Sequence, residues 1–324
     1  MTASVVVVTR DLDITADLVV VELAAREIPV MRFDLADFPE SLTQLGYLGN
    51  GRSGWTGALR GRHRSVDLDA VRAVWWRKPA DFAIHPEMST TERRWAAAEA
   101  GAGLGGLLAA LPNVHWVNHP ARNAEADFKP RQLSVAASCG LAVPPTLITN
   151  DPDHVRDFCR THREAGVVHK PFRGGPGSES GQPRALWTNV VTADDITDAV
   201  RRTSHLFQVR VPCAYSVRLT VVGTRLFAAR IDTADDCAAV DWRAVHDRLS
   251  YAPTEVPDAV AAGMLGVMQT FGLSYAAADL IVTPDGEWVF HGDLNPNGQW
   301  AWIQMHTGLP IAATIADELA GGGR

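Results

Sequence analysis

The chain has 324 residues, longer than one average domain, and 46% of them are hydrophobic, enough to bury a large core in two or three compact units that share an interface. Its formal net charge of −7 argues against a nucleic-acid partner held by phosphate neutralisation, so any anion it binds must meet local positive charge. The N-terminal stretch is broken by Arg10, Asp11 and Asp13 and lacks the pattern of a signal peptide, while Cys139, Cys159, Cys213 and Cys237 form no C-x-x-C pair, so a cytoplasmic protein with reduced thiols is expected.

In chain order, SVVVVT reads as a buried strand, TADLVVVELAARE as an amphipathic helix and IPVMRFD as a second strand, the β-α-β opening of an open α/β sheet. GALRGRHRSVD follows as a polar ribbon, with a third strand at 73–76. The most membrane-like segment, 95–111, is short, carries Glu99 and is mostly Ala and Gly. A buried helix beginning near Thr91, and no membrane contact, is therefore expected. HWVNHP closes this first unit, 1–117, as a short strand.

A second unit spans 118–205. ARNAEADFKPRQLSVAASCG is helical, interrupted at Pro130 and stopped at Gly140. LAVPPTLITN is extended, and DPDHVRDFCRTHREAG is a helix with Asp151 as N-cap and Pro152 in its first turn. VVHKPF is a strand, RGGPGSESGQ a glycine-rich loop and RALWTNVV its return strand. TADDITDAVRRTSH then reads as a capped helix, which completes a small α+β lid. The third unit, 206–324, is strand-rich: LFQVRV, YSVRLTVVG and RLFAARID precede the helix VPDAVAAGMLGVMQTFG and the hairpin YAAADLIVTPDGEWVFHGDL, turned at Pro284, Asp285 and Gly286.

Only three lysines occur, Lys78, Lys129 and Lys170, against 27 arginines (30 basic residues minus 3). Either lysine is kept where a compact point charge is needed, or its scarcity is chance. In the hairpin, Asp279 lies on the first strand and Asp293 and Asn295 end the second, so pairing brings side-chain oxygens towards one sheet edge. That set suits Mg²⁺, or is a polar exit loop. Lys129, Lys170, Arg218 and Arg230 offer positive groups for a triphosphate, and Gly174 and Gly175 open a loop whose backbone N–H groups either approach phosphate or serve only as a turn. No nucleophilic triad is proposed by the 11 histidines, and His291 and His306 read as structural or solvent-facing. Arg77 and Lys78 either face an acceptor peptide or form a solvated strand end.

Lys129, VVHKPF with its glycine loop, LFQVRV, YSVRLTVVG, LIVTPDGEWVF and DLNPNGQW occur in the order found in ATP-grasp carboxylate ligases. More narrowly, VWWRKP, WVNHP, LAVPPTLITN, VDWR and the tail NPNGQWAWIQMHTGLPIA resemble the microviridin-type peptide maturases, or graspetide synthetases. The resemblance covers nearly the whole chain. It implies an ATP-grasp fold of mixed α/β and α+β class: an N-terminal open α/β domain, a lid subdomain and a C-terminal catalytic sheet domain.

It also implies roles. Lys129 and Lys170 match the two nucleotide lysines, and Gln208 and the backbone near Val211 match the adenine-facing hinge. Arg218 and Arg230 match arginines facing the γ-phosphate and acyl phosphate, while Asp279, Asp293 and Asn295 match the ligands of magnesium, expected as two ions. Three positions depart from the family: Val209 stands for the usual acidic residue after the hinge glutamine, Asp293 for Glu, and Ser216 where related ligases often have Asp.

The implied reaction is phosphorylation of an Asp or Glu side chain of a ribosomal precursor peptide by ATP. A Ser or Thr hydroxyl or a Lys amine of the same peptide then attacks, giving ω-ester or ω-amide macrocycles. The expected partner is that precursor, with leader and core, and a homodimer is left open. The segment with Asp194, Asp195 and Asp198 is either a leader-binding surface or an ordinary acidic helix start. The competing expectations are a ligase adding a free amino acid to a small acid or protein terminus, and a catalytically weak ATP-dependent peptide-binding protein.

Overall fold

The computed structural model describes residues 4–49, 51, 53–173, 188–233 and 249–321. The N-terminal unit begins with β1 (Ser4–Val8), α1 (Ile14–Ala25) and β2 (Val30–Phe33). The valine run of β1 is buried on both faces, as a central strand of a parallel sheet must be. Asp13 caps α1 through Ala16 N at 3.2 Å, and Ala16, Val19 and Leu23 form its buried stripe. An antiparallel ribbon of β3 (Thr43–Tyr47), β4 (Thr56–Arg60) and β5 (Ser65–Asp67) follows, of which β3 was not foreseen. Then come β6 (Val71–Trp76), α2 (Thr90–Ala100), a π-turn over Gly101–Gly105, α3 (Gly106–Ala109) and β7 (His115–Val117). The parallel sheet runs β2-β1-β6-β7. Contrary to the expectation of a buried helix, the 90–109 segment lies on the surface. Leu104, Leu107 and Leu108 face the core while Trp95 is 64% exposed, because the apolar positions form one stripe only. Among the described residues no helix is long and apolar enough to cross a membrane.

The middle of the chain supplies α4 (Pro120–Ala126), α5 (Lys129–Ser138), β8 (Thr146–Thr149), α6 (Pro152–Thr161), β9 (Val167–Lys170), β10 (Asn189–Val191) and β11 (His205–Val209). The expected break at Pro130 is the start of α5, where a missing N–H costs nothing. The strands form an antiparallel sheet in the order β10-β9-β11-β8, with α6 on a small core of Val155, Cys159, Val167, Ile196, Val200 and Phe207. The helix expected across 192–205 is instead two 3-10 turns, Ala193–Asp195 and Asp198–Arg202. Thr192 and Thr197 each cap their own short turn, so a second cap interrupts the helix that the first would start.

The C-terminal unit contains β12 (Tyr215–Val222), β13 (Arg225–Thr233), β14 (Leu249–Thr254), α7 (Asp258–Phe271), β15 (Tyr275–Val282), β16 (Trp288–Asn295), α8 (Ala301–Thr307) and α9 (Ile311–Gly321). Its sheet runs β14-β13-β12-β15-β16 and is covered on both faces. On one face Val217, Leu219, Leu280, Phe290 and Leu294 pack against α5 and α7. Residues 126–141 thus join this core although they precede the lid strands. On the other face, Ile315 and Leu319 of α9 meet Val5, Val7 and Trp75, which joins the N-terminal sheet to the C-terminal one.

Candidate active site

The strands β15 and β16 pair through Ala278↔Leu294 and Leu280↔Phe290, so three residues, His291, Gly292 and Asp293, bulge opposite Asp279. Gly292 adopts φ +85°, a left-handed conformation that glycine reaches without steric cost. Leu294 and Phe290 fill the core, leaving His291 and Asp293 on the opposite side of the strand.

There the bulge meets both expected nucleotide lysines. Lys129, at the start of α5, donates to Asp293 Oδ1 in a very short contact, and lies 3.4 Å from Gly292 O. Lys170, at the end of β9, donates to His291 O at 2.8 Å and lies 2.6 Å from His291 Nδ1 and 3.3 Å from Asp293 Oδ2. Burial alone would raise the Asp293 pKa, but Lys170 and Lys129 outweigh it and hold the carboxyl well below the usual carboxylate range. Burial and then Lys170 push His291 down. The histidine is therefore an inner member of the cluster and not a solvent-facing residue. The bulge thereby ties α5, the β9 strand and the C-terminal sheet at one point.

A second network adjoins it. Arg218 on β12 donates to Asp279 Oδ1 at 2.7 Å and to Gln299 O at 3.0 Å. Gly298 sits so close that a Cβ there would meet Ala277 and lie 2.9 Å from Arg218 Nη2. Arg77, just past β6, is 1% exposed, which corrects the expectation of a solvated strand end. It donates to Gln299 Oε1 at 2.5 Å and, in a shorter contact, to Asn297 O. Thr15 Oγ1 also donates to Gln299 Oε1, at 2.7 Å, and Asp13 Oδ2 lies 3.7 Å from Arg77 Nε. Asn118, 1% exposed, adds four bonds: from its Nδ2 to Tyr275 O and Pro296 O, and to its Oδ1 from Ser274 N and Tyr275 N. Sequence reasoning missed Gln299 and Asn118. Their signal was present in the quoted NPNGQW and WVNHP motifs, but not their partners.

The other expected residues scatter. Gln208 is buried on β11 and donates to Thr146 Oγ1 at 2.9 Å, and Val211 lies in the segment leading to β12. Gly174, Gly175 and the VDWR motif lie outside the described residues. Arg230 is not brought to Arg218. It pairs in register with Val217, the neighbour of Arg218, and side chains alternate, so the two arginines occupy opposite faces of the sheet. Arg230 binds Asp232 through contacts of 2.6–2.9 Å and stacks on the Tyr215 ring. Asp194 and Asp198 are exposed on the lid turns, and Asp195 is occupied capping Thr192.

As for a metal, the described residues contain no group of three or more His, Cys, Asp or Glu side chains set to hold an ion. The proposed donor set contains only two carboxylates. Its third member, Asn295, lies on the same strand edge and accepts from Asn297 N at 2.9 Å. Two carboxylates and an amide oxygen, all hard donors, fit Mg²⁺ completed by phosphate and water oxygens.

A family model described as the MvdD pre-ATP grasp domain matches residues 4–124. The macrocyclase MdnC of Microcystis aeruginosa MRC, solved with the precursor peptide MdnA, is 28% identical, with a TM-score of 0.85 over 98% of this chain and 99% of that one. The chain is thus similar over nearly its whole length to ATP-grasp ligases that act in ribosomal peptide maturation. A second ATP-grasp ligase, RiPP-associated and from Chryseobacterium gregarium, solved with ADP and a leader and core peptide, is 26% identical with a TM-score of 0.89, covering 99% of this chain and 97% of that one. The ATP-grasp ligase PsnB, solved with a phosphomimetic variant of its minimal precursor, Mg and ADP, shares the fold at 24% identity and a TM-score of 0.75, over 100% of both chains. No curated protein matches the chain. Lys170 of the β9 strand and Lys129 of α5 approach Asp293 from two different units of the chain.

Proposed function

We propose that the protein is a peptide macrocyclase that uses ATP to activate Asp or Glu side chains of a ribosomal precursor peptide and closes ω-ester or ω-amide rings. The observation that carries this reading is the likeness, at nearly full length, to two ligases solved with precursor or leader and core peptides. The side-chain arrangement supports it: two lysines from two domains converge on Asp293 of β16, and Asp279 on the neighbouring β15 holds Arg218 of β12.

In this reading Lys129 and Lys170 exchange part of their hold on Asp293 for phosphate oxygens, and Gln208 with the Val211 backbone borders adenine. Bound magnesium, proposed as two ions at Asp279, Asp293 and Asn295, supplies positive charge to the phosphate oxygens. Arg218, fixed from two sides by Asp279 and Gln299 O, is aimed at charge that develops on the transferring phosphoryl group. A carboxylate oxygen of the peptide bonds to the γ-phosphorus as the bond to ADP breaks. A hydroxyl or amine of the same peptide then attacks the acyl carbon and loses its proton, and phosphate leaves with the former carboxylate oxygen. Arg230 is assigned no part in transfer, since Asp232 holds it on the other face. The exposed lid turns with Asp194 and Asp198 are proposed to touch the leader.

The test is incubation of the purified protein with ATP, Mg²⁺ and candidate precursors, followed by mass spectrometry. Loss of one water mass per ring supports the reading. A gain of mass when a free amino acid is added would replace it with the free-amine ligase.

A further inference from the structure

The chain's third lysine is absent from the nucleotide cluster. Lys78 follows Arg77 at the carboxyl end of β6, and Arg10 follows β1 at the same sheet edge, because the two parallel strands end together at the Val8↔Trp76 pair. Ligands of open α/β sheets gather at that edge. Arg10 is folded onto the Lys78 backbone, with Arg10 N and Nε donating to Lys78 O at 3.3 and 3.2 Å. Arg77 reaches across to the 297–299 loop that also holds Arg218.

The charged groups acting on Lys78 are therefore Arg77, Arg218 and Arg10, opposed by Asp13. Asp13 is already engaged by Thr9 Oγ1 at 2.8 Å, by Ala16 N and by Arg77. Among the described residues Lys78 forms no side-chain hydrogen bond or ion pair. Arg218 is neutralised by Asp279 and Arg77 lies beside Asp13, so at this junction Lys78 and Arg10 are the cations whose side chains meet no carboxylate among the described residues.

Resting on the macrocyclase reading, we propose that Lys78 binds the acidic side chain of the core peptide, delivering the acceptor carboxylate to Arg218. An anion placed there would answer the uncompensated charge of Lys78 and Arg10, and a lysine supplies a point charge on a stem long enough to follow different core residues. Burial, and then Arg77, lower the Lys78 pKa to about 8, so the ammonium is mostly charged at neutral pH. Losing that proton removes the charge that attracts the peptide. While the core acids are ionised, affinity for the acidic peptide is therefore expected to hold up to about pH 8 and to fall above it.

The experiment uses the full-length protein and measures binding and turnover of a precursor peptide and of a copy whose core acids are replaced by their amides. Lys78→Met should weaken the acidic peptide roughly 10-fold or more. It should leave the amide peptide and ATP binding unchanged. Lys78→Arg should keep affinity near wild type and abolish the fall above pH 8, since arginine retains its charge there. Equal affinity of wild type and Lys78→Met for the acidic peptide would overturn the proposal, as would Lys78→Arg losing as much as Lys78→Met. A wild-type protein that closes rings beside an unaffected Lys78→Met overturns only the lysine's role. A wild-type protein that forms no rings from any precursor removes the macrocyclase reading itself.

Discussion

Arg218 and Asp279 face each other across β12 and β15 as directly paired positions, and their side chains close the pair at 2.7 Å with both residues buried. Arg218→Ala therefore acts twice. It removes the donor proposed to face developing charge, for which a fall in kcat of about 10²-fold or more is expected, with a smaller change in ATP affinity. It also leaves Asp279 buried without its counterion, costing on the order of 3–5 kcal/mol of stability. Steady-state kinetics and denaturant unfolding separate the two effects. A change confined to ATP affinity would mean that Arg218 only holds the ground state.

Lys170→Met is expected to weaken ATP binding by roughly 1.5–3 kcal/mol, the range for a lost charge-assisted contact. The fold should persist, because Lys129 remains on Asp293. Calorimetric titration with ATP checks this, and near-wild-type affinity would remove Lys170 from the nucleotide site.

The 293–295 stretch predicts metal dependence. Asp293→Asn keeps the shape and removes a charge, and Asn295→Ala removes one oxygen. Each should raise the Mg²⁺ concentration for half-maximal turnover and lower the maximum. Asp293→Glu should retain substantial activity if the bulge at Gly292 accepts the extra methylene. Unchanged magnesium dependence in the first two variants would return this stretch to a polar exit loop.

What the sequence made legible was local. The valine run of β1, the Asp151 cap with Pro152, the break at Pro130 and the turn at Gly286 all depend on neighbours in the chain, and each lies where expected. The resemblance of ordered motifs singled out Lys129, Lys170 and Asp293, as nucleotide lysines and a metal ligand, but not that both lysines contact that carboxylate. What escaped depends on register and long-range packing. Arg230 is separated from Arg218 by strand alternation, which only the pairing 217↔230 reveals. Arg77 reads as exposed until the 297–299 loop, 220 residues later, covers it. Nor does chain order reveal that α5, which precedes strands β8 to β11, packs with the last strands of the C-terminal sheet.

Asn118 is the clearest stability prediction from that hidden layer. All four of its side-chain bonds go to backbone groups of 274–275 and 296. Asn118→Ala leaves buried backbone groups unpaired beside the active-site loop and should cost on the order of 3 kcal/mol. Chemical denaturation checks this, and a loss below about 1 kcal/mol would mean that water replaces the amide.

The central claim, that a peptide carboxylate is activated by phosphoryl transfer and then captured within the same peptide, is tested most directly by isotope transfer. A precursor whose core Asp and Glu carboxylates carry heavy oxygen is incubated with the protein, ATP and Mg²⁺, and the released phosphate is analysed. One heavy oxygen per ring closed should appear in phosphate, which left with the former carboxylate oxygen. Ring closure accompanied by wholly unlabelled phosphate would contradict the account.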